Sequence, residues 1–145
     1  MASRPGRTDR SRRPPLILIV EDDAETRGLL RAMLGEELGA RVSEAADGAA
    51  ALRSVVWARP GLMLLDLALP VFSGLQVCRR LKADPATAAI PLVVVSGAVR
   101  APGRPSEQLR YDAFQAKPVD AAELVAVARR CLDAGRRDGP SEPRS

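Results

Sequence analysis

The apolar positions of the chain alternate between two spacings. Short strand-like stretches occur at five places, and three of them, residues 16–20, 62–65 and 92–95, are apolar throughout. Apolar runs of this length are typical of strands that are buried on both faces. Between the stretches, apolar residues recur at helical spacing, as they do at Leu30 and Leu34. Strands and helices that alternate in this way predict a parallel sheet covered by helices on both faces.

Boundary signals define where the predicted elements begin and end. Five strands are predicted, at residues 16–20, 41–45, 62–65, 92–95 and 113–116. Four helices are predicted to begin near residues 24, 48, 75 and 120, and the last of them to end near residue 133. Asp23 is placed to cap the first helix, which ends at Gly39, and Glu123 is placed for a capping box in the last.

Two further predictions concern packing and an interrupted segment. Trp57, the methionines and the cysteines are interpreted as packing residues, and Val55 and Val56 as part of the inward face of the second helix. Residues 100–105 are broken by prolines and a glycine, which leaves room for only a turn or two of helix at residues 106–110.

Composition divides the chain into one folded domain and two tails. The 145 residues suffice for a single domain, predicted at residues 16–133. Residues 1–15 are rich in Arg, Ser, Pro and Gly, and together with residues 134–145 they are predicted to be disordered. The tails together are more positive than the whole chain, whose net charge is +4, so the body between them is about neutral. We interpret the basic tail as a solvated segment, and an arm that binds nucleic acid or anionic lipid is the alternative.

Several classes of function are excluded by residue content. The chain has no histidine, so Ser-His-Asp catalysis, Cys-His catalysis and histidine-rich metal sites are impossible. The two cysteines fall in separate predicted helices, which argues against a disulfide or zinc site and favours a reducing, cytoplasmic setting. No apolar stretch is long enough to span a bilayer, so we predict no membrane partner.

Polar side chains stand at the carboxyl ends of four predicted strands: Glu21 and Asp22, Asp66, Ser96, and Lys117. Ligands of open parallel sheets bind at this edge. Three neighbouring carboxylates need a cation, and oxygen ligands suit Mg²⁺. A lysine suits an incoming phosphoryl group, and a carboxylate can attack that group without a base. Taken singly, Asp66 and Ser96 could be turn residues and Lys117 a surface lysine. Their predicted position at the same edge of the sheet favours a functional site.

Four motifs carry a resemblance to a known family over roughly residues 15–133. They are Val20-Glu21-Asp22-Asp23, Leu65-Asp66-Leu67 with Pro70 and Gly74, Ser96 after an apolar strand, and Lys117-Pro118. In this order and spacing, the sequence resembles the receiver domains of two-component response regulators. The resemblance implies an α/β, flavodoxin-like, doubly wound fold with five parallel strands in the order 2-1-3-4-5.

The resemblance also implies a role for each site residue. Asp66 would be the phosphoryl acceptor and Lys117 the phosphate-binding lysine. Ser96 would be the switch hydroxyl. Phe114 would be the aromatic switch residue. The Mg²⁺ ion would be held by Glu21, Asp22, Asp66 and the backbone carbonyl of Ala68.

The implied activity is signalling by a stand-alone receiver. A histidine kinase or histidine phosphotransfer protein would phosphorylate it, and it would act on a further protein by contact. It would not be an enzyme beyond catalysing its own Mg²⁺-dependent phosphoryl transfer and slow dephosphorylation. We expect no output domain in the dozen residues that follow Asp133.

Three alternatives remain open at this point. A pseudo-receiver would have the same fold and bind partners without phosphate, although the acids, serine and lysine argue against it. An aspartate-nucleophile phosphohydrolase usually needs a second acid two residues after its nucleophile, where this chain has Ala68. A flavin-binding protein of similar topology is disfavoured because the segments after the strands are acidic and would repel the flavin phosphate.

Overall fold

Five parallel strands form the centre of the protein. The computed structural model describes residues 14–69, 73–97 and 111–137. The strands are β1 (Leu16–Val20), β2 (Arg41–Ala45), β3 (Leu62–Asp66), β4 (Leu92–Ser96) and β5 (Ala113–Ala116). The helices are α1 (Ala24–Leu38), α2 (Gly48–Ala58), α3 (Gly74–Ala83) and α4 (Ala121–Arg137). The sheet order is β2-β1-β3-β4-β5, which confirms the predicted fold class and strand order.

Helices cover the sheet on both faces, each over its own apolar core. On one face, strand residues such as Leu18 and Leu65 pack with Val55 of α2 and Val77 of α3. On the other face, α1 and α4 contribute a second cluster of buried side chains: Leu30, Leu34, Leu124, Val127 and Ala128. Since successive residues of a strand point to opposite faces, a helix layer on each side explains why residues 16–20, 62–65 and 92–95 are apolar throughout.

Side-chain caps set the beginnings of the helices. Asp23 caps α1 as predicted, and α1 ends at Gly39, whose φ of 64° lies in the left-handed region that favours glycine. Ser73 and Gln76 form a capping box at the start of α3, which was not predicted and starts the helix one residue early.

The last helix is longer than predicted. Asp120 accepts a hydrogen bond from the backbone N–H of Glu123, so it caps α4. The helix continues to Arg137, past the predicted end near residue 133, so the first residues of the predicted C-terminal tail are helical.

The outward face of α2 differs from the prediction. Val55 is buried, but Val56 is 75% exposed and Trp57 is 85% exposed, so the interpretation of these two as packing residues is wrong. Residues one and two positions after Val55 are rotated by about 100° and 200° from it around the helix axis, which carries them away from the sheet. The cysteines match the prediction, because Cys78 and Cys131 form no disulfide and lie in different helices.

Some predictions fall outside the described residues. These are the disorder of residues 1–13 and 138–145 and the interrupted segment at residues 100–110; Pro70 of the motif also lies outside them. Among the described helices, none combines the length and apolar character needed to cross a membrane.

Candidate functional site

A cleft of about 630 Å³ opens at the carboxyl ends of the strands. It lies where four strands and the loops after them meet, and every residue predicted at this edge of the sheet lines it. The lining residues are Glu21, Asp22, Asp23, Thr26, Asp66, Leu67, Ala68, Ser96, Gly97 and Lys117. The parallel register explains the convergence, since Val20 pairs with Leu65 and Asp66 with Val95, so the strands end level with one another.

Three carboxylates converge in this cleft. One carboxylate oxygen from each of Glu21, Asp22 and Asp66 lies within 4.8 Å of the other two. Glu21 and Asp66 are only 2% and 4% exposed, whereas Asp22 is exposed to solvent. Such a group of negative charges is unfavourable unless cations or hydrogen-bond donors face it.

Lys117 supplies one of those cations. Its Nζ lies 2.9 Å from Glu21 Oε1 and 3.4 Å from Asp66 Oδ2. The backbone holds the lysine at this edge, because the N–H of Lys117 donates to the carbonyl oxygen of Ser96 at 2.9 Å. Lys117 therefore bridges the acid after β1 and the acid that ends β3.

The pKa values of Glu21 and Lys117 both lie above their ordinary values, but for different reasons. Burial raises the pKa of Glu21, and the hydrogen bond from Lys117 opposes this effect without cancelling it. For Lys117, burial alone would lower the pKa, but the hydrogen bond to Glu21 and the charges of Asp66 and Glu21 outweigh burial and raise it. Lys117 is therefore held in its charged form.

The Asp66 side chain is oriented by the loop that follows it. The backbone N–H of Ala68 donates to Asp66 Oδ1 at 3.1 Å, and the N–H of Leu67 donates to the carbonyl oxygen of Val95 at 3.3 Å. One carboxylate oxygen thus faces the backbone, and the other, Oδ2, faces Lys117.

Gly74 fits this loop because it has no side chain. Its N–H donates to the carbonyl oxygen of Leu67 at 2.9 Å, which joins the start of α3 to the residue after Asp66. A Cβ atom at position 74 would lie 2.4 Å from Leu67 Cα and 2.6 Å from the carbonyl oxygen of Asp66. The lack of space for a Cβ atom therefore explains why the predicted motif has a glycine at position 74.

The two predicted switch residues occupy different surroundings. Ser96 is buried, ends β4 and lines the cleft. Phe114 is partly buried in β5 and packs against the core under α2 and α3, with its ring centroid 6.3 Å from that of Tyr111. Phe114 does not line the cleft, and the switch role of each residue stays a prediction.

Sequence reasoning missed several residues of the cleft. Thr26, Leu67 and Gly97 line it but belong to no predicted ligand or phosphate contact. Arg27 also escaped prediction, although its Nη1 donates to the carbonyl oxygen of Glu21 at 2.8 Å. Its position one helical turn after Asp23 could have indicated this contact, because a side chain in the first turn of a helix lies close to the residues that precede the helix.

The donor set of the cleft fits a divalent cation with a preference for oxygen. Three carboxylates from Glu21, Asp22 and Asp66 converge, and Ala68 borders the same space. No sulfur or imidazole donor lines the described part of the cleft, and the volume leaves room for water ligands. Mg²⁺ prefers such a site, with one or two carboxylates and several waters.

Comparison with known proteins agrees with the architecture. The profile of the response regulator receiver domain matches residues 17–129. The DNA-binding dual master transcriptional regulator RpaA of Synechocystis is 34% identical over 81% of this chain and 49% of its own length. The response regulator PleD of Caulobacter vibrioides is 38% identical over 78% of this chain and 25% of its own length. The chain thus spans half or less of these two relatives.

Solved structures give the same result. The receiver domain of the sensor histidine kinase PA1611 from Pseudomonas aeruginosa, solved with a magnesium ion coordinated in its active site cleft, has a TM-score of 0.74 and 30% identity. That similarity covers 83% of this chain and 98% of the PA1611 domain. A signal receiver domain of a histidine kinase from Syntrophus aciditrophicus has a TM-score of 0.77 and 29% identity, covering 87% and 96% of the two chains. Together with the family profile, the fold and the acidic cleft, these similarities show that the chain belongs to the response regulator receiver domains of two-component signalling.

Proposed function

We propose that Asp66 accepts a phosphoryl group in a Mg²⁺-dependent reaction, and that the phosphorylated domain signals by contact with another protein. The observation that carries this proposal is the position of Asp66 Oδ2, which lies in an open cleft 3.4 Å from the Lys117 ammonium group. A carboxylate beside a fixed cation is suited to attack an electrophile that itself carries negative charge.

The reaction forms one bond and breaks another. Asp66 Oδ2 attacks the phosphorus atom, a new O–P bond forms, and the bond from phosphorus to the donor breaks. The electron pair of the broken bond leaves with the donor group. Asp66 needs no general base, because an ionised carboxylate has no proton to lose. Its other oxygen stays bonded to the N–H of Ala68, which keeps the side chain oriented during attack.

The cation is assigned to the convergent oxygen atoms. Glu21, Asp22 and Asp66 would hold Mg²⁺ through their carboxylates, and Ala68 through its backbone carbonyl. When bound, the ion neutralises charge on the phosphoryl oxygens and lowers the barrier to attack.

Lys117 and Ser96 are assigned to the phosphorylated product. A phosphoryl group adds three acceptor oxygens and roughly 1.5 to 2 negative charges. Lys117 would exchange part of its contact with Glu21 and Asp66 for contact with these oxygens. The Ser96 hydroxyl, which borders the same cleft, would donate a hydrogen bond to one of them.

The phosphoryl donor is assigned to another protein. The chain has no histidine, so a phosphohistidine donor must come from a histidine kinase or a histidine phosphotransfer protein. We propose that the domain catalyses only its own phosphorylation and the slow loss of the phosphoryl group. That the receiver acts without a linked output domain stays a prediction, which the mass of the protein in extracts of its source would test.

Labelling with a small phosphoryl donor tests the proposal. The full chain incubated with acetyl phosphate and Mg²⁺ should gain one phosphoryl group by intact mass. Asp66→Asn should abolish this gain, and so should removal of Mg²⁺ with EDTA. Asp23→Asn is the matched control, because Asp23 lines the same cleft and asparagine also caps a helix. Equal labelling of wild type and Asp66→Asn would reject the assignment, and absence of labelling in the wild type would favour a pseudo-receiver.

A further inference from the structure

Arg27 joins the acidic loop after β1 to the neighbouring strand. It lies in the first turn of α1, and its guanidinium group makes two contacts in different directions. Nη1 donates to the carbonyl oxygen of Glu21 at 2.8 Å, and Nε lies 2.9 Å from Glu44 Oε1 on β2. The Arg27 side chain is only 18% exposed, so water competes weakly for these bonds.

The bond to the Glu21 carbonyl acts on the peptide group that links Glu21 to Asp22. That peptide is planar, so fixing its carbonyl oxygen also fixes the direction in which the chain enters Asp22. The other side of Glu21 is already fixed, because its N–H donates to the carbonyl oxygen of Ala45 at 3.0 Å. Its carboxylate also accepts a hydrogen bond from the N–H of Asp23 at 3.2 Å. Arg27 completes the set of bonds that orients two consecutive acids.

Glu44 holds the Arg27 guanidinium group from the side opposite the acidic loop. A second arginine, Arg31, pairs with the same Glu44 carboxylate from the next turn of α1. Because the two arginines share one carboxylate, Glu44 offsets only part of their combined positive charge.

We propose that Arg27 is a positioning residue for the cation site, which it serves by orienting the Glu21–Asp22 peptide and, through it, the Asp22 carboxylate. This rests on the proposed function only in taking Glu21 and Asp22 as cation ligands. The two hydrogen bonds of Arg27 described above go to the Glu21 backbone and to Glu44, so Arg27 acts on the peptide group between two ligand residues.

Arg31 provides a matched control for the test. Both arginines pair with Glu44, so Arg27→Gln and Arg31→Gln each remove one positive charge from the same ion-pair network. Arg27→Gln also removes the bond to the Glu21 carbonyl, whereas the Arg31 bond is directed to Glu44. The difference between the two variants therefore isolates the bond to the backbone.

Two measurements on the full chain decide the proposal. Calorimetric titration with Mg²⁺ alone should show about tenfold weaker binding for Arg27→Gln, as for other residues that support metal ligands, and unchanged binding for Arg31→Gln. The amide resonance of Asp22, whose nitrogen belongs to the same peptide group, should move in the NMR spectrum of Arg27→Gln without metal and stay in place in Arg31→Gln. If Arg27→Gln does not fold, Arg27→Lys replaces it in both measurements. Lysine keeps the positive charge, but its single ammonium group cannot contact the Glu21 carbonyl and Glu44 in the way that a guanidinium group does.

Different results would contradict the positioning role of Arg27 and the proposed function. Wild-type Mg²⁺ affinity in Arg27→Gln, or equal weakening in the two glutamine variants, would overturn the positioning role. A shifted Asp22 amide with unchanged Mg²⁺ affinity would overturn it as well. If Asp22→Asn also bound Mg²⁺ as the wild type does, the cation site of the proposed function would itself be wrong, and the positioning role with it.

Discussion

Lys117 lies closer to Glu21 than to Asp66, with its Nζ 2.9 Å from the glutamate and 3.4 Å from the aspartate. Glu21 is buried, so Lys117 is its compensating charge in addition to its proposed role toward phosphate. The lysine therefore has a structural function before any phosphoryl group arrives.

The first prediction follows from this pairing. Lys117→Met should lower the free energy of unfolding by about 1–3 kcal/mol, because it leaves the Glu21 carboxylate buried without its partner. Adding Glu21→Gln should recover part of this loss, since a neutral amide needs no counter-charge. Chemical unfolding of the two single variants and the double variant measures the coupling. Additive losses would contradict the pairing.

A second prediction concerns the close approach at Gly74. Gly74→Ala should lower the free energy of unfolding by about 1–3 kcal/mol and slow labelling by acetyl phosphate, because its Cβ atom must displace the backbone at Asp66 and Leu67. Gly28→Ala is the matched control. Nothing lies within 4 Å of a Cβ atom at Gly28 in α1, so alanine there should stabilise by about 0.5–1 kcal/mol. Equal effects of the two substitutions would contradict the steric argument.

Acid stability is the subject of the third prediction. The hydrogen bond from Arg27, and then that from Arg31, hold the pKa of Glu44 below its ordinary value of 4.5. The resulting stabilisation is present above that value and is lost as the pH falls through the folded-state pKa. Glu44→Gln should therefore cost about 1 kcal/mol near neutral pH and nothing in strong acid, as measured by urea unfolding.

A neighbouring acid provides the control for Glu44. Glu37 lies in the last turn of α1, where a negative charge opposes the helix dipole. Glu37→Gln should leave the free energy of unfolding unchanged or slightly higher near neutral pH. A cost as large as that of Glu44→Gln would show that general charge loss, rather than the arginine contacts, accounts for the effect.

The fourth prediction distinguishes the two thiols. Burial raises the pKa of Cys78 to about 11, and burial also raises that of the half-buried Cys131. Because thiolates are the reactive form, iodoacetamide should modify Cys131 first and Cys78 only after unfolding. Mass spectrometry of the native and denatured protein would show the order. Equal rates at Cys78 in the two states would contradict its burial.

The same thiol predicts a loss of stability in alkali. The folded-state pKa of Cys78 lies above its ordinary value of 9.0, so its contribution is present below that value and is lost as the pH rises toward about 11. Cys78→Ala should remove this part of the alkaline decline in the free energy of unfolding, although it also leaves a small cavity.

The sequence by itself determined the strands, the helix beginnings and the edge at which the polar residues meet. The run at residues 62–65 predicts a strand because it is short, apolar at every position and preceded by the turn residues Pro60 and Gly61, as strands covered on both faces are. Asp23 predicts a helix beginning because a short acidic side chain can accept the free N–H groups of the first turn. In a parallel sheet, residues that follow such strands necessarily share one edge, so Asp66, Ser96 and Lys117 could be grouped before any distance was known.

Only the tertiary structure decided which groups touch and which helix face points outward. The contact of Lys117 with Glu21 joins residues 96 positions apart, and it depends on side-chain reach across two strand ends, which no local pattern encodes. The bond from Arg27 to the Glu21 carbonyl has the same origin, since it depends on how α1 sits against β1 and β2. Trp57 is apolar yet exposed, because the rotation of α2 on the sheet follows from the combined packing of Ala51, Val55 and the strands beneath them.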